Sequence, residues 1–495
     1  MLWWVFIGVA VLAGIAGYVL WGLQAPPSIQ LVPRVDMWAY LRSVLRGEGF
    51  DERADRLVKP LLRAHGVARV WLGEWFVVLD DPDVLRRVLG EPSSFHKLKP
   101  LPTTESLATR FMGSNLAETD GEDWRRHRRA AGPAFHRGWS TEVFGECTLE
   151  LMARIQGDAL TRIGPLLKNA TLDALGRAVF GFDFKARDGG EYSKLYEDIL
   201  IAVGDPLYAM IPFLENLPIP SRRRSRNQVD RFRGLLENLI HQRREEGCES
   251  TACDLVTLMV KASDEEDGFL SDEEIVNDAV LFFFVGHDTT ANTLAFSLYY
   301  LSKHQDVQDK VRAEINAASP DGGIPTADQQ ATLTYLTAVI YETIRMAPVA
   351  FLLARTTACV IDDLLPFPLD KGQAILTHLG LCLRRPDVWT DPDTFNPSRF
   401  LSPDHLQLDR NAIKQMMGFG VGPRMCIGQQ FALVEQRVLL SMLIQRYHIH
   451  LPKDSIHQAK PIMSCTGVPS IKDLDLIFSP IPLPVTPDPY NTLGS

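Results

Sequence analysis

The sequence predicts a mainly α-helical protein with a minor β region near its N-terminal end. Residues 141 to about 260 read as helical, with breaks. Farther on, Ser271 and Glu274 form an S-x-x-E capping box before an apolar run whose helical pattern continues to roughly Lys303. Arg69 to Leu79, by contrast, is rich in Val, Trp and Phe with Gly73 near its middle, which reads as a β-hairpin.

The chain has 495 residues, 46% of them hydrophobic and 23% charged, enough for a large core. Length alone allows two to four domains or one large one. A net charge of −10 argues against general nucleic-acid binding. Cys147, Cys248, Cys253, Cys359, Cys382, Cys426 and Cys465 are scattered without a CxxC pair. That pattern fits a reducing compartment and supports neither a disulfide framework nor a zinc site.

Met1 to Leu23 carries no charged side chain. At about 1.5 Å per residue it can cross a bilayer core of about 30 Å. Trp3, Trp4, Tyr18 and Trp21 cluster near its ends, as interfacial aromatics do. A cleaved signal peptide is the rival reading. No basic region precedes the run, and Gly14 and Ala16 fall inside it, so an uncleaved anchor over 1–23 is expected. Arg34, Arg42 and Arg46 follow the span and place the bulk of the chain in the cytosol. Residues 24–45, with Pro26-Pro27, read as a stiff linker, and 46–495 as the folded part.

Asp81-Pro82 opens a short helix through Leu89, and Ser93 to about Asp120 loosens into a loop. In the run from Asp123 to Arg129, Trp124 and Arg128 stand four apart and share a helix face. Arg125, Arg126 and Arg129 are either a solvated face or a docking surface for an acidic partner. His127 reads as a surface residue rather than a metal ligand. Pro212, Pro218 and Pro220 interrupt an apolar stretch. Arg222, Arg223, Arg224 and Arg226 then form a solvated or membrane-surface run, not a nucleic-acid patch. Asn169-Ala-Thr171 fits a glycosylation pattern that a cytosolic domain would not use.

From Ser271 to Lys303 a helix would form a rod of about 45–50 Å. Halfway along it sits Gly286-His287-Asp288-Thr289-Thr290. A glycine, an acid and two hydroxyls are costly in an apolar helix without a purpose. Threonine hydroxyls compete for backbone carbonyls and open a helix locally, admitting water and a ligand. The alternative is a polar kink that caps its own backbone. Glu342 and Arg345, three apart, share another helix face.

The stretch from Phe419 to Gly428 sets Cys426 among Gly420, Gly422 and Gly428, behind Pro423 and Arg424. The glycines let backbone approach a bulky ligand. A helix-compatible run from Phe431 to Leu443 follows, so Cys426 lies near a helix N-terminus that favours a thiolate. Such a thiolate is a good axial ligand for haem iron, and Arg424 can pair with a carboxylate such as a haem propionate. A buried structural cysteine in a glycine-rich turn is the alternative.

This decapeptide resembles the haem-binding loop of the cytochrome P450 family, F-x-x-G-x-R-x-C-x-G, at Phe419, Gly422, Arg424, Cys426 and Gly428. Trp124 and Arg128 match the family's W-x-x-x-R, Glu342 and Arg345 its E-x-x-R, and Arg399 the arginine of its P-x-R-F. Residues 286–290 resemble the oxygen-activation motif A/G-G-x-D/E-T-T/S, with Val285 departing at the first position. The resemblance implies a cytochrome P450-like haem-thiolate fold, one large catalytic domain (46–495) on the anchor.

Its implied cofactor is haem b held by Cys426, with Trp124, Arg128, Gly286, Arg355, Phe419, Gly422, Arg424 and Gly428 around it. Asp288 and Thr289 are the implied catalytic pair, Thr289 hydrogen-bonding dioxygen and Asp288 relaying protons from solvent. Glu342, Arg345 and Arg399 are implied to be structural. By position, Ala350, Phe351, Leu352 and Leu353, and then Cys465 to Pro469, are candidate pocket walls. The implied reaction inserts one atom of dioxygen into an apolar small molecule, using NADPH-derived electrons from NADPH-cytochrome P450 reductase, with cytochrome b5 as an optional partner. The implied location is the endoplasmic reticulum membrane, single-pass, with lipid as a further partner. The general look resembles fungal microsomal members, and a tailoring role in secondary metabolism is expected. Two other readings remain: a haem-thiolate isomerase, dehydratase or peroxygenase, and a non-catalytic haem-binding sensor.

Overall fold

A computed structural model describes residues 24–98, 106–136, 138–205, 208, 212–246, 254–265, 269–464 and 468–481. The expected anchor, residues 1–23, lies outside them. Among the described residues no helix is long and apolar enough to cross a membrane. The 24–45 stretch, expected as a linker, is folded onto the sheet. Ile29 and Val35 are buried, and Val35 N–H donates to Arg69 O at 2.9 Å.

The expected hairpin forms from β1 (Ala68–Trp71) and β2 (Trp75–Leu79), paired antiparallel with Trp71 opposite Trp75 and Gly73 at φ +92° in the turn. Its five-stranded sheet has the order β1-β2-β6-β5-β3, with β3 at Phe95–Lys97, β5 at Leu352–Thr357 and β6 at Ala374–His378. A three-stranded sheet joins β4 (Leu160–Arg162), β8 (Asp475–Pro480) and β7 (Tyr447–His450). Helix α1 (Pro82–Gly90) starts where Asp81 accepts from the N–H groups of Asp83 and Val84. The expected loop from Ser93 to Asp120 instead contains β3 and a helix at Leu107–Met112. Three residues cannot announce a strand; β3 exists because it pairs with β5, placing Lys97 opposite Arg355.

The helical body includes α2 (Gly121–His136), α3 (Thr141–Met152), α4 (Ile163–Leu175), α5 (Pro220–Glu246), α6 (Asp272–Gly286), α7 (Asp288–Lys303), α8 (Thr334–Met346) and α9 (Gln429–Arg446). The Ser271 capping box is formed at the start of α6. The long rod is broken at His287 (φ −110°, ψ −47°). One core cluster collects Ile275 to Phe283 of α6, and another collects Ala291 to Leu301 of α7. Helix α9 serves both, with Phe431, Val434 and Val438 in the first and Leu433, Leu440 and Leu443 in the second. That dual role explains why α9 is buried on nearly every side, its polar Glu435, Gln436 and Ser441 included.

Two surface expectations fail. His127 is buried and shares a 2.6 Å hydrogen bond between Nδ1 and Asp278 Oδ2, tying α2 to α6. Arg222 is also buried, paired with Glu215, which further accepts from Leu107 N–H. Both polar groups go inside because each finds a buried carboxylate that charge runs do not reveal.

Glu342 and Arg345 are fully buried on α8. Arg345 Nε donates to Glu342 Oε2 at 2.7 Å and its Nη2 to Oε1 at 2.9 Å. Arg399 Nε and the Asn396 N–H also reach Glu342 Oε1, at 3.0 and 2.8 Å. One carboxylate thus binds two guanidiniums and a backbone donor from a distant loop. Removing it strands two cations in the core. Glu342→Gln is expected to cost about 3–5 kcal/mol. A urea midpoint unchanged from wild type would show that the triad holds nothing together.

Candidate active site

A cavity of about 390 Å³ lies among α2, the junction of α6 and α7, α9, β5 and the 418–428 loop. Phe135, Phe282, Val285, Leu353, Phe419 and Phe431 make its walls largely apolar. Cys426 turns its open face into it. The loop that presents Cys426 is shaped by left-handed residues: Met417 at φ +46°, Gly420 at +76° and Gly422 at +69°. It closes where Cys426 N–H donates to Phe419 O at 2.8 Å. Helix α9 begins three residues later with Gly428 as its N-cap. Burial pushes the Cys426 thiol up, while the Gly428 N–H and the Arg128 charge pull it back. Burial thus disfavours a free thiolate at Cys426.

One edge of the cavity is strongly cationic. Lys97 of β3, Arg128 of α2, Arg355 of β5 and Arg424 of the loop all line it. Arg424 Nη2 reaches Asp120 Oδ1 at 2.7 Å, and its guanidinium lies 4.4 Å from the Trp124 ring centroid. Arg355 donates to Ala354 O at 2.8 Å. Among the described residues, the Lys97 ammonium and the Arg128 guanidinium have no hydrogen-bond or ion-pair partner. Burial, reinforced by Arg355 and Arg424, pushes Lys97 down to about 8. Burial likewise lowers Arg424 to about 10 and depresses Arg128 and Arg355. Four cations facing one slot, Arg355 buried and the others partly so, call for an anionic ligand. A macrocycle with acidic side arms at this edge, its metal at Cys426, fits that demand and the apolar walls.

Val285, Gly286, Thr289 and Thr290 reach the cavity from the rod. Thr289 Oγ1 donates to Val285 O at 2.9 Å across the break. Asp288 does not reach the cavity. It is buried, with Lys168 Nζ of α4 3.0 Å from its Oδ1. Gly286 is needed for close helix packing, since a Cβ there would stand 2.7 Å from Leu175 Cδ1. Gly422 faces Gly90 of α1 rather than the cavity; a Cβ there would lie 2.9 Å from Gly90 Cα.

Trp124, Arg128, Arg355, Phe419, Arg424, Cys426 and Gly428 all come together on the cavity. Ala350 and Leu353 line it too, but Phe351 and Leu352 belong to a separate space of about 30 Å³. Residues 465–467 of the second wall candidate lie outside the described residues. Arg126 is committed to Glu274 at 2.8 Å and Arg129 stacks on Phe269, while the exposed Arg125 pairs with Glu122 at 2.9 Å. Lys97 and Asp120 were not singled out from the sequence. Both sit in the stretch read as a loop; the β3–β5 pairing brings Lys97 to the site, and Asp120 is held there by the Lys97 N–H at 3.1 Å and by Arg424.

Residues 62–470 match the family model described as cytochrome P450. The chain is 30% identical over 424 residues to cytochrome P450 4F5 of Rattus norvegicus, covering 79% of each. It is 28% identical over 384 residues to cytochrome P450 monooxygenase 124 of Postia placenta, covering 72% of each. Leukotriene-B4 omega-hydroxylase 3 of Mus musculus is 29% identical over 422 residues, again covering 79% of each.

Lys97→Met separates the cost of the cationic edge from its use. In haem-free protein the ammonium is destabilising below about 8, and that cost fades as pH rises from there toward 10.5. The variant should therefore melt higher than wild type at pH 7, with the difference shrinking at alkaline pH. Once loaded, it should lose haem to apomyoglobin faster than wild type. A lower midpoint at pH 7, or unchanged haem loss, would contradict this account of the edge.

Proposed function

The chain belongs to the cytochrome P450 family and is a haem-thiolate monooxygenase; from that premise we propose that Cys426 is its iron ligand and that the 286–290 turn manages its protons. The observation that carries the site assignment is that Cys426, Thr289 and the cationic edge share one apolar cavity. Haem, when bound, supplies thiolate-ligated iron at which dioxygen is activated and one oxygen atom is inserted into substrate. Arg128, Arg355, Arg424 and Lys97 would hold its acidic arms, with Trp124 supporting Arg424. Gly428 N–H would steady the Cys426 sulfur.

Thr289 Oγ1 gives its proton to Val285 O and keeps its lone pairs for a donor in the cavity. Asp288 is the group through which protons would enter. Its carboxylate meets Lys168, whose side chain is 49% exposed, so exchange with solvent starts at that end. Delivery toward Thr289 then requires Asp288 to leave Lys168.

The substrate is an apolar small molecule, consistent with walls of Phe282, Val285, Leu353 and Phe431. Val285 narrows the space beside Thr289. Electrons come from NADPH through a reductase, and the outward Arg125 on α2 is a contact for such an acidic partner. Anchoring in the endoplasmic reticulum membrane rests on the uncharged 1–23 stretch. A tailoring role in secondary metabolism rests on the general likeness to fungal microsomal members.

Cys426→Ala should abolish the thiolate-type spectrum of the reduced carbon-monoxide complex; survival of that spectrum would remove Cys426 as ligand. Thr289→Ala should keep haem bound yet lose coupled turnover by about 10²-fold, the low end of what a positioned proton-transfer group contributes, with NADPH-derived electrons diverted into peroxide. Unchanged peroxide yield would take Thr289 out of the proton path.

A further inference from the structure

Helix α5 begins in a way that its own dipole opposes. From Ser221 to Gln228 it contains no acid and no apolar side chain, but it carries Arg222, Arg223, Arg224 and Arg226. Cations there face the positive end of the macrodipole and weaken the turn, where an anion would strengthen it. The first apolar side chain that the helix buries after this run is Val229. Before it, the turn is held through Arg222, the one buried arginine of the run. Arg222 Nε donates to Glu215 Oε2 at 2.8 Å, and its Nη1 donates to Ala202 O near the end of the helix Glu191–Val203. Its guanidinium lies 3.9 Å from the Tyr208 ring centroid. Glu215 also accepts from Leu107 N–H at 3.4 Å, and Arg226 donates to the Glu215 carbonyl. Arg223 and Arg224 are exposed, and among the described residues their guanidiniums have no hydrogen-bond or ion-pair partner.

Ser225 follows three of these arginines directly. It is half-buried and stands three residues on from Arg222, on the same helix face. Among the described residues its Oγ makes one long bond, 3.3 Å to Ser221 O. Arg-Arg-Arg-Ser is a charge pattern that arginine-directed kinases select, and a turn weakened by its own charges opens readily to present it. We propose that Ser225 is a phosphorylation site for an arginine-directed serine kinase using MgATP, and that its phosphate draws Arg222 off Glu215 and loosens the Pro212–Asn216 turn. In that step the Ser225 Oγ–P bond forms as the bond from the γ-phosphorus to its bridging oxygen breaks. The hydroxyl proton passes to the kinase's carboxylate base, and ADP leaves. The new phosphate lies where the helix dipole favours an anion, one turn from the guanidinium that Glu215 holds. Two anions then compete for Arg222. The site needs neither haem nor substrate, so it stands apart from the monooxygenase reading.

The test incubates full-length, haem-loaded protein with MgATP and cyclic-AMP-dependent protein kinase, and locates phosphate by peptide mass mapping. Ser225 should carry most of the phosphate, and Ser225→Ala should lose it. Arg223→Gln leaves the Glu215 contacts intact and should slow incorporation by about tenfold or more, the factor that one hydrogen bond to a charged group represents. No phosphate at Ser225, labelling of S225A equal to wild type, or a rate unchanged by R223Q would overturn the site. Amide hydrogen exchange then reads the consequence. In the phosphorylated protein the amides of Leu107 and of residues 213–216 should exchange about fivefold faster, as the loss of one ordinary hydrogen bond requires. S225A carried through the same incubation should keep wild-type rates. Unchanged exchange in the phosphorylated protein, or the same acceleration in S225A, would overturn the action of the phosphate on Glu215.

Discussion

The buried cationic edge is the constraint on which the cavity depends. Lys97, Arg128, Arg355 and Arg424 come from a strand, a helix, another strand and a loop, and they converge near Asp120. No single segment could bear the cost of desolvating these charges. They can meet only because β3 pairs with β5, α2 packs on α6, and the 418–428 loop folds back on α1. Asp120 neutralises part of the charge, leaving Lys97 and Arg128 without a partner among the described residues. Buried like charges of this kind are unfavourable to one another and favour an anionic ligand. An anionic ligand bound at this edge would therefore stabilise the fold by electrostatics.

The other organising feature is the interruption of the central rod. A continuous helix would align α6 and α7 rigidly and close the wall. The break at His287 lets the two halves belong to different core clusters, with α9 packed against both. His287 itself is buried, its Nδ1 2.9 Å from Phe283 O, and burial holds it low and uncharged. It therefore caps the end of α6 without adding a charge beside Asp288. Gly286 permits the close crossing by Leu175 at the same level. The polar pentapeptide is costly as helix, and its cost is met by contacts made sideways.

Much of this was legible in the chain because it is local. The hairpin, the Asp81 and Ser271 caps, the Glu342–Arg345 spacing and the Gly-rich loop around Cys426 all depend on residues a few positions apart. The site residues from Trp124 to Gly428 were readable through motif spacing, and most of them do share the cavity. What could not be read were long-range meetings. His127 finds Asp278 across 151 positions, and Arg424 finds Asp120 across 304. Gly422 looked like a residue for ligand approach, but its missing side chain makes room for Gly90. Lys97 carried no pattern at all; strand pairing alone gives it a role.

The two sides of the broken turn differ. On the α4 side, Asp288 meets a half-exposed lysine, so the contact is ionic, open to water and able to exchange. On the α9 side lies the Glu435 carboxyl, sealed from solvent, and burial drives it well above its ordinary range. The broken turn therefore meets a wet, charged neighbour on one side and a dry, buried one on the other.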